Sequence, residues 1–393
     1  MPSTPVMDRL IRKTVERHLP WNVHIDLTYR CNERCVHCYL DHEDHGEMTT
    51  REVKNVLDQL ADAGALFLTF SGGEIFLRPD LFELIAYGRD LNFDVSLKTN
   101  ALLIDADRAR RLRELGIRKI QISIYSAEAE IHDAITKVPG SLERSLRAIR
   151  FLQAEGLQVK LACPLMKQNL AAFRQVQALA DELGVPYMLD LTITPKMDGD
   201  ESTLALRSSS TELLQVLQDK KLNTRACAPT ENASEQAFQT GGAMGSATSS
   251  GIESSAYEDI PCSAGHNSCY ISPYGDVSPC VQMPKSAGNL RKEPFKEIWY
   301  GSSEMRRVRA VRDSQLPLCS TCSIRKYCER CPGLAQMEGG DLLGAYERAC
   351  ELAEMNARLA GVESPVSAAH AAKAFEGTLG IMTARRDLVQ VSL

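Results

Sequence analysis

The chain has 393 residues, 44% hydrophobic and 24% charged, with a formal net charge of −6 and a pI near 5.8. That length asks for one large domain and a smaller one. The charge balance lacks the concentrated basic face of a nucleic-acid binder: Arg108–Arg113 and Arg306–Arg312 alternate with apolar residues, as solvated helix faces do.

In chain order, Met1 to Pro20 is charged and amphipathic, unlike a secretory signal, and no apolar run reaches the roughly 18 residues of a bilayer span. The expected setting is the cytoplasm, without membrane or nucleic-acid partners. Short β-rich runs follow at Asn22–Leu27, Leu66–Phe70, Phe93–Lys98, Lys119–Ile124, Leu157–Cys163 and Tyr187–Thr192. Between them lie helical patterns at Thr50–Ala63, Asp80–Leu91, Ala106–Leu115, Ser141–Glu155 and Leu170–Leu183, with Gly64, Gly116, Gly156 and Gly184 at helix stops. This alternation predicts parallel strands joined by right-handed crossovers. The expected fold is α/β: a partial (β/α)6, TIM-like barrel over residues 22–226, with its reactive end at the C-terminal edge of the strands.

Ala228 to Ser255 is rich in small residues and lacks periodicity, which predicts a flexible linker within 227–260. A hairpin signal, Cys269–Pro273 and Val277–Val281 around Gly275–Asp276, opens a small cysteine-rich α+β domain expected over 261–360. Residues 1–21 form an N-terminal amphipathic segment, and the tail 361–393 is too weakly patterned to assign.

The thirteen cysteines carry the chemistry, because a reducing compartment turns clustered thiols into metal or cluster ligands. Cys31-Asn-Glu-Arg-Cys35-Val-His-Cys38 follows closely on the first predicted strand. Three thiolates at these spacings can hold one cubane from a single loop and leave one iron open. A zinc site completed by His37, His42 or His45 is the alternative.

Here the chain resembles the radical S-adenosylmethionine (SAM) superfamily, whose signature is Cys-x3-Cys-x2-Cys after the first barrel strand. Ser71-Gly72-Gly73-Glu74 directly follows the second predicted strand, where that family holds the amino group of SAM. The resemblance implies further SAM contacts at Thr99, Asn100, Ser123 and Lys137. The chain departs from the pattern at Tyr125-Ser126 (often Asp and Gly), His37 (usually an aromatic), Ile75 (often Pro) and Thr136-Lys137 (often Arg).

Downstream, Cys262-x6-Cys269-x10-Cys280 precedes Cys319-x2-Cys322-x5-Cys328-x2-Cys331 and a lone Cys350. This field resembles the SPASM extension of radical SAM enzymes, with two residues instead of three in the last spacing. The resemblance implies two auxiliary iron–sulfur clusters, one on Cys262, Cys269, Cys280 and Cys331, the other on Cys319, Cys322, Cys328 and Cys350. Two structural zinc sites are the alternative, since spacing alone does not separate zinc from iron.

Two cysteines stand apart. Cys163 ends the fifth predicted strand and is a candidate hydrogen donor to a substrate radical, with a buried bystander thiol as the favoured reading. Cys227 borders the linker and reads as an exposed bystander. His132-Asp133 reads as capping or surface polarity.

The resemblance implies an enzyme that cleaves SAM reductively at a 4Fe–4S cluster and uses the resulting 5′-deoxyadenosyl radical to activate an inert C–H bond. The expected substrate is a peptide matured by a thioether, a carbon–carbon cross-link or a related change. A leader-recognition partner and an electron donor such as flavodoxin or ferredoxin are expected with it. Alternatives are oxidation of a protein Cys or Ser, peptide epimerisation, modification of a cofactor precursor such as a tetrapyrrole, and a zinc-bound scaffold without catalysis.

Overall fold

A computed structural model describes residues 6–219 and 259–362. The expected linker, Cys227 and the C-terminal tail from residue 363 lie outside the described residues. The chain divides into two compact units, residues 1–208 with 264–309, and residues 209–263 with 310–393.

In the first unit six strands run in parallel: β1 (Asn22–Thr28), β2 (Phe67–Gly72), β3 (Asp94–Thr99), β4 (Lys119–Ser123), β5 (Gln158–Pro164) and β6 (Tyr187–Asp190). The helices α1 (Val6–Glu16), α2 (Thr50–Asp62), α3 (Leu81–Asp90), α4 (Ala106–Glu114), α5 (Ala129–Thr136), α6 (Ser141–Ala154) and α7 (Phe173–Leu183) accompany them. Two crossover helices, α2 and α4, begin at a side-chain cap, Thr49 and Asp105. For α2, Thr49 and Glu52 form a reciprocal capping box, a device that stabilises a helix by about 0.5–2 kcal/mol.

The sheet order is β6-β5-β4-β3-β2-β1-β7-β8-β9, an open sheet whose βα repeat gives the expected partial barrel. The hairpin joins this sheet: β7 (Ser268–Ile271) pairs in parallel with β1, then β8 (Asp276–Ser278) and β9 (Gly288–Asn289) continue it antiparallel. β1 would otherwise offer an unpaired edge, and Cys269 and Ile271 find a core there. The short helices α8 (Ser210–Leu217), of the second unit, and α9 (Phe295–Gly301) and α10 (Ser303–Arg309), of the first, come next in element order.

The two faces of the sheet differ in chemistry. Val23, Ile25, Leu27, Leu68, Phe70, Val95, Leu97, Ile120, Ile122, Val159 and Leu161 form one core with the apolar stripes of α2, α3, α4 and α6. Each such side chain contributes roughly 1.5–3 kcal/mol when fully buried. With a strand period of 2, the alternate residues His24, Asp26, Thr69, Ser96, Lys98, Gln121, Ser123 and Lys160 share the opposite, inner face. Parallel sheets are usually apolar on both faces, so a polar inner face marks a binding interior.

The second unit also contains α11 (Pro332–Gly339) and α12 (Glu347–Leu359), around two small cores. One joins Leu334, Ala335, Tyr346 and Ala349, the other Ile324, Ala353 and Ala357. Among the described residues, no helix is long and apolar enough to cross a membrane.

Candidate functional site

The loop between β1 and α2 carries Cys31, Cys35 and Cys38, and its ends are tied down. The Glu47 carboxylate accepts from Thr28 Oγ1 (2.6 Å) and Tyr29 N (2.9 Å). The buried Arg78 guanidinium donates to Leu27 O (2.9 Å) and Met48 O (3.0 Å) and pairs with Asp80 at 2.6 Å. In the middle, Arg34 N and Val36 N donate to Thr136 O and Ile135 O, each at 3.0 Å. Those carbonyls end α5 and lack partners inside the helix, so the loop satisfies them. Lys137 follows at φ 62° and closes α5.

The Gly-Gly-Glu stretch docks this loop from the other side. Gly73 N donates to Thr28 O at 2.8 Å and Glu74 N to Arg30 O at 2.9 Å. A Cβ on Gly72, which sits at φ +130°, would lie 2.1 Å from Thr28 O, and one on Gly73 would lie 2.3 Å from Arg30 O. Glycine is required here because two backbones touch immediately before Cys31.

Glu74 is fully buried. Its Oε1 accepts from Phe76 N (2.9 Å), its Oε2 from Asn100 N (2.9 Å), and Thr99 Oγ1 donates at 2.8 Å from either oxygen. These protein donors lock β2 to the end of β3 through the carboxylate that the resemblance assigns to the SAM site. Asn100 is aimed at the cysteine loop, with Nδ2 2.7 Å from Asn32 Oδ1 and 3.9 Å from Cys31 Sγ. Ser71 is buried at the end of β2, and Ser123 ends β4 on the inner face.

The thiols sit in a partly dry environment. Cys31 Sγ receives Glu33 N at 3.4 Å, and Cys35 Sγ lies 3.4 Å from Glu33 Oε2 and 3.6 Å from Tyr125 OH. Burial pushes the Cys31 thiol up to about 12 and raises Cys35 and Cys38 as well. Burial also raises the Glu33 carboxyl to about 7. A metal must therefore supply the charge that draws these protons off. Glu33 Oε1 and His37 Nδ1 are buried without a hydrogen-bond partner. Three loop thiols, N–H donors aimed at sulfur and orphaned polar atoms beside them fit an iron–sulfur cluster. Among the described residues, no three His, Cys, Asp or Glu side chains close round a single ion.

In the second unit Cys319, Cys322, Cys328 and Cys350 line one pocket with Leu318, Ile324, Arg325 and Ala353. The structure thus brings together the set expected for the second auxiliary cluster. Burial raises Cys328 to about 11 and Cys350 to about 12, so this set too needs a metal to become thiolates. Arg325 donates to Cys328 O at 3.2 Å and pairs with Asp313 at 2.7 Å. Of the other set, Cys262 and Cys331 belong to the second unit and Cys269 and Cys280 to the first. Cys331 N donates to Tyr346 OH at 3.4 Å, and Cys269 lies buried on β7.

Cys163 meets Tyr125, whose hydroxyl lies 3.6 Å from Cys35 Sγ. It lies buried near the end of β5, donates to Tyr125 O at 3.6 Å, and burial raises it to about 12. Its burial fits the favoured reading of a bystander thiol. Asp133 receives Gly140 N and Leu142 N at the start of α6, the capping role expected of it. Sequence reasoning missed Glu33, Tyr125 and Arg78. It also missed the network in which Tyr270 OH donates to Asp26 Oδ2 at 2.8 Å and lies 2.8 Å from Tyr29 OH.

An open parallel sheet with three thiols beyond one strand's C-terminal end and four more in a second unit defines an iron–sulfur α/β enzyme. A family described as the radical SAM superfamily matches residues 25–180, and one described as an iron–sulfur cluster-binding domain, SPASM, matches 262–323. The AdoMet-dependent heme synthase of Methanosarcina barkeri is 32% identical over 330 residues, covering 81% of this chain and 93% of that protein. The mycofactocin maturase MftC of Mycobacterium tuberculosis is 28% identical over 310 residues, covering 77% of this chain and 75% of its own. The structure of Streptococcus suis SuiB bound to S-adenosylmethionine superposes with a TM-score of 0.65 at 17% identity, over 88% of this chain and 82% of that one, and so supports the fold. The chain belongs to the radical SAM superfamily and carries its SPASM extension. It is an enzyme whose cofactors are SAM, a 4Fe–4S cluster and auxiliary iron–sulfur clusters.

Proposed function

We propose that this enzyme activates a C–H bond on a carboxylate-bearing side chain of an iron tetrapyrrole, in a heme-forming step. The observation that carries the reading is the likeness to AdoMet-dependent heme synthase along 93% of that protein's length. The polar inner face, with Lys98 and Lys160, suits an anionic substrate better than an apolar one.

In this reading Cys31, Cys35 and Cys38 hold the cluster with the open iron. Ser71, the backbone of Gly72 and Gly73, Thr99, Asn100, Ser123 and Lys137 form the SAM site, with Glu74 positioning Thr99 and Asn100. Cys262, Cys269, Cys280 and Cys331 form one auxiliary ligand set, and Cys319, Cys322, Cys328 and Cys350 the other. A propionate becomes a vinyl group when the carbon next to the ring loses a hydrogen atom and the side chain then loses CO2 and one electron. When bound, SAM and the clusters supply the radical that takes the hydrogen atom and an acceptor for the electron. The sheet interior orients the side chain and excludes water from it. A flavodoxin or ferredoxin in the cytoplasm is the proposed reductant.

The test is anaerobic incubation of the reconstituted protein with iron coproporphyrin III, SAM and dithionite, read by mass. Loss of carboxyl groups alongside SAM cleavage is the expected result. Cleaved SAM with an unchanged porphyrin overturns the reading.

The likeness to a mycofactocin maturase supports a second reading, maturation of a ribosomal peptide with a leader-binding partner. A peptide encoded beside this gene, incubated under the same conditions, would change in mass by a thioether, cross-link or related modification. An unchanged peptide mass would sink that reading.

A further inference from the structure

Tyr125 follows the end of β4 and meets the middle of the cysteine loop. Its hydroxyl lies 3.6 Å from Cys35 Sγ, within the reach of an O–H···S hydrogen bond. Position 125 is also one at which the chain departs from the family pattern, where aspartate is common. The side chain is buried with Ile135, Met166 and Ile193, and the His37 ring packs against it with centroids 5.0 Å apart. Its carbonyl accepts from Asn169 Nδ2 at 2.9 Å, so backbone and ring are both held. The loop is held in turn, since Val36 N, next to Cys35, donates to Ile135 O at 3.0 Å. Both sides of the hydroxyl–sulfur contact are therefore positioned by the protein alone.

The loop thiols are served differently. Cys31 Sγ has Glu33 N at 3.4 Å and Asn100 Nδ2 at 3.9 Å. Among the described residues, the side chains within hydrogen-bond distance of Cys35 Sγ are the Glu33 carboxyl at 3.4 Å and the Tyr125 hydroxyl. A cysteine that binds iron is a thiolate, with no proton to give and a charge that attracts donors. A carboxylate only accepts, whereas a phenol carries its proton throughout the neutral range. The hydroxyl is then the donor, and Glu33 loses the S–H that it accepts in the metal-free loop.

We infer that the Tyr125 hydroxyl donates to the Cys35 thiolate and raises the reduction potential of the cluster held by the loop. Donation draws negative charge from the sulfur, which favours the more negative, reduced state. A protein donor of modest potential can then load the electron, at some cost in the drive for its transfer to SAM. Tyr125 acts through Cys35 and is a positioning residue. The inference rests on the assignment of Cys35 to the cluster with the open iron, and it holds for either substrate reading.

The experiment uses the reconstituted full chain, the Tyr125→Phe variant, and a protein with fluorotyrosine at position 125, whose hydroxyl is the stronger donor. Both replacements keep the ring, and thermal melts and iron counts check folding and loading. Potentials are read by anaerobic redox titration followed by electron paramagnetic resonance. The first cluster's signal is the one that changes on adding SAM and is absent when Cys31, Cys35 and Cys38 are all changed to alanine. At a fixed potential, Tyr125→Phe should lower the ratio of reduced to oxidised first cluster roughly tenfold, a shift of about 59 mV to more negative potential. Fluorotyrosine should shift it the other way, and the auxiliary signals should stay where they are. An unchanged first-cluster potential in either protein, or a shift shared by the auxiliary signals, overturns the inference and leaves the cluster assignment standing. Should Tyr125→Phe fail to load iron, the fluorotyrosine protein decides the matter on the same terms. An unaltered protein with no SAM-responsive signal overturns the assignment itself.

Discussion

Replacing Gly73 by alanine tests whether the Gly-Gly-Glu stretch serves the cysteine loop. The added Cβ would lie 2.3 Å from Arg30 O, 2.6 Å from Tyr29 O and 2.7 Å from Arg30 C. All three obstacles are backbone atoms, so no rotamer change relieves them. Overpacking of this kind costs about 1–3 kcal/mol. Moving the loop aside instead sacrifices the bonds from Gly73 N to Thr28 O and from Glu74 N to Arg30 O. Those are worth about 0.5–1.5 kcal/mol each, so either route costs about 1–3 kcal/mol. The strain falls on the residue before Cys31, so the first cluster should fail to assemble while the auxiliary clusters persist. Anaerobic reconstitution with iron and sulfide analysis should show about twelve irons falling to about eight, with SAM cleavage lost. Gly88→Ala on α3 is the control, because its nearest neighbour is a side-chain carbon at 3.5 Å. Full iron and normal SAM cleavage in Gly73→Ala would refute the reasoning.

Three further outcomes are expected. Glu74→Gln must turn an amide NH2 toward either Phe76 N or Asn100 N, which costs about 1–3 kcal/mol; a lower Tm and weaker SAM cleavage should follow, and an unchanged Tm would count against the clamp. Cys350→Ala should lower iron by about four per chain. It should spare SAM cleavage driven by dithionite, and loss of that cleavage would contradict a separate auxiliary site. Hydrogen bonds from Arg291 (2.7 Å) and Thr49 hold the Glu52 carboxyl at about 2, below its usual 4.5. A depressed folded-state value means the stabilisation is present above 4.5 and drains away as pH falls toward 2. Both partners are about one-third exposed, so Arg291→Ala should cost no more than about 1 kcal/mol at pH 7. The Tm gap between the variant and the unaltered protein should narrow near pH 3, and a constant gap would refute the assignment.

Much of the fold was legible because it is written in local patterns. Glycine stops and 3.6-residue periodicity mark the crossover helices, and short β-rich runs between them mark the parallel strands. The loop cysteines were legible for the same reason, since Cys31, Cys35 and Cys38 lie within one turn-forming stretch. Cys163 is buried, in keeping with the bystander thiol that the sequence favoured over a hydrogen donor.

The sequence by itself determined the cysteine spacings, the strand–helix alternation and, through them, the superfamily. These depend on residues a few positions apart, whose geometry the backbone dictates. Only the tertiary structure decided that β7 extends the barrel sheet beside β1, more than two hundred residues earlier. It alone decided that Glu74 is bonded to Thr99, Asn100 and Phe76, and that Lys98, Gln121 and Lys160 line up on the inner face. Each of these is a matter of register and of which groups meet across distant segments. Long-range pairing sets them, and no local pattern encodes it.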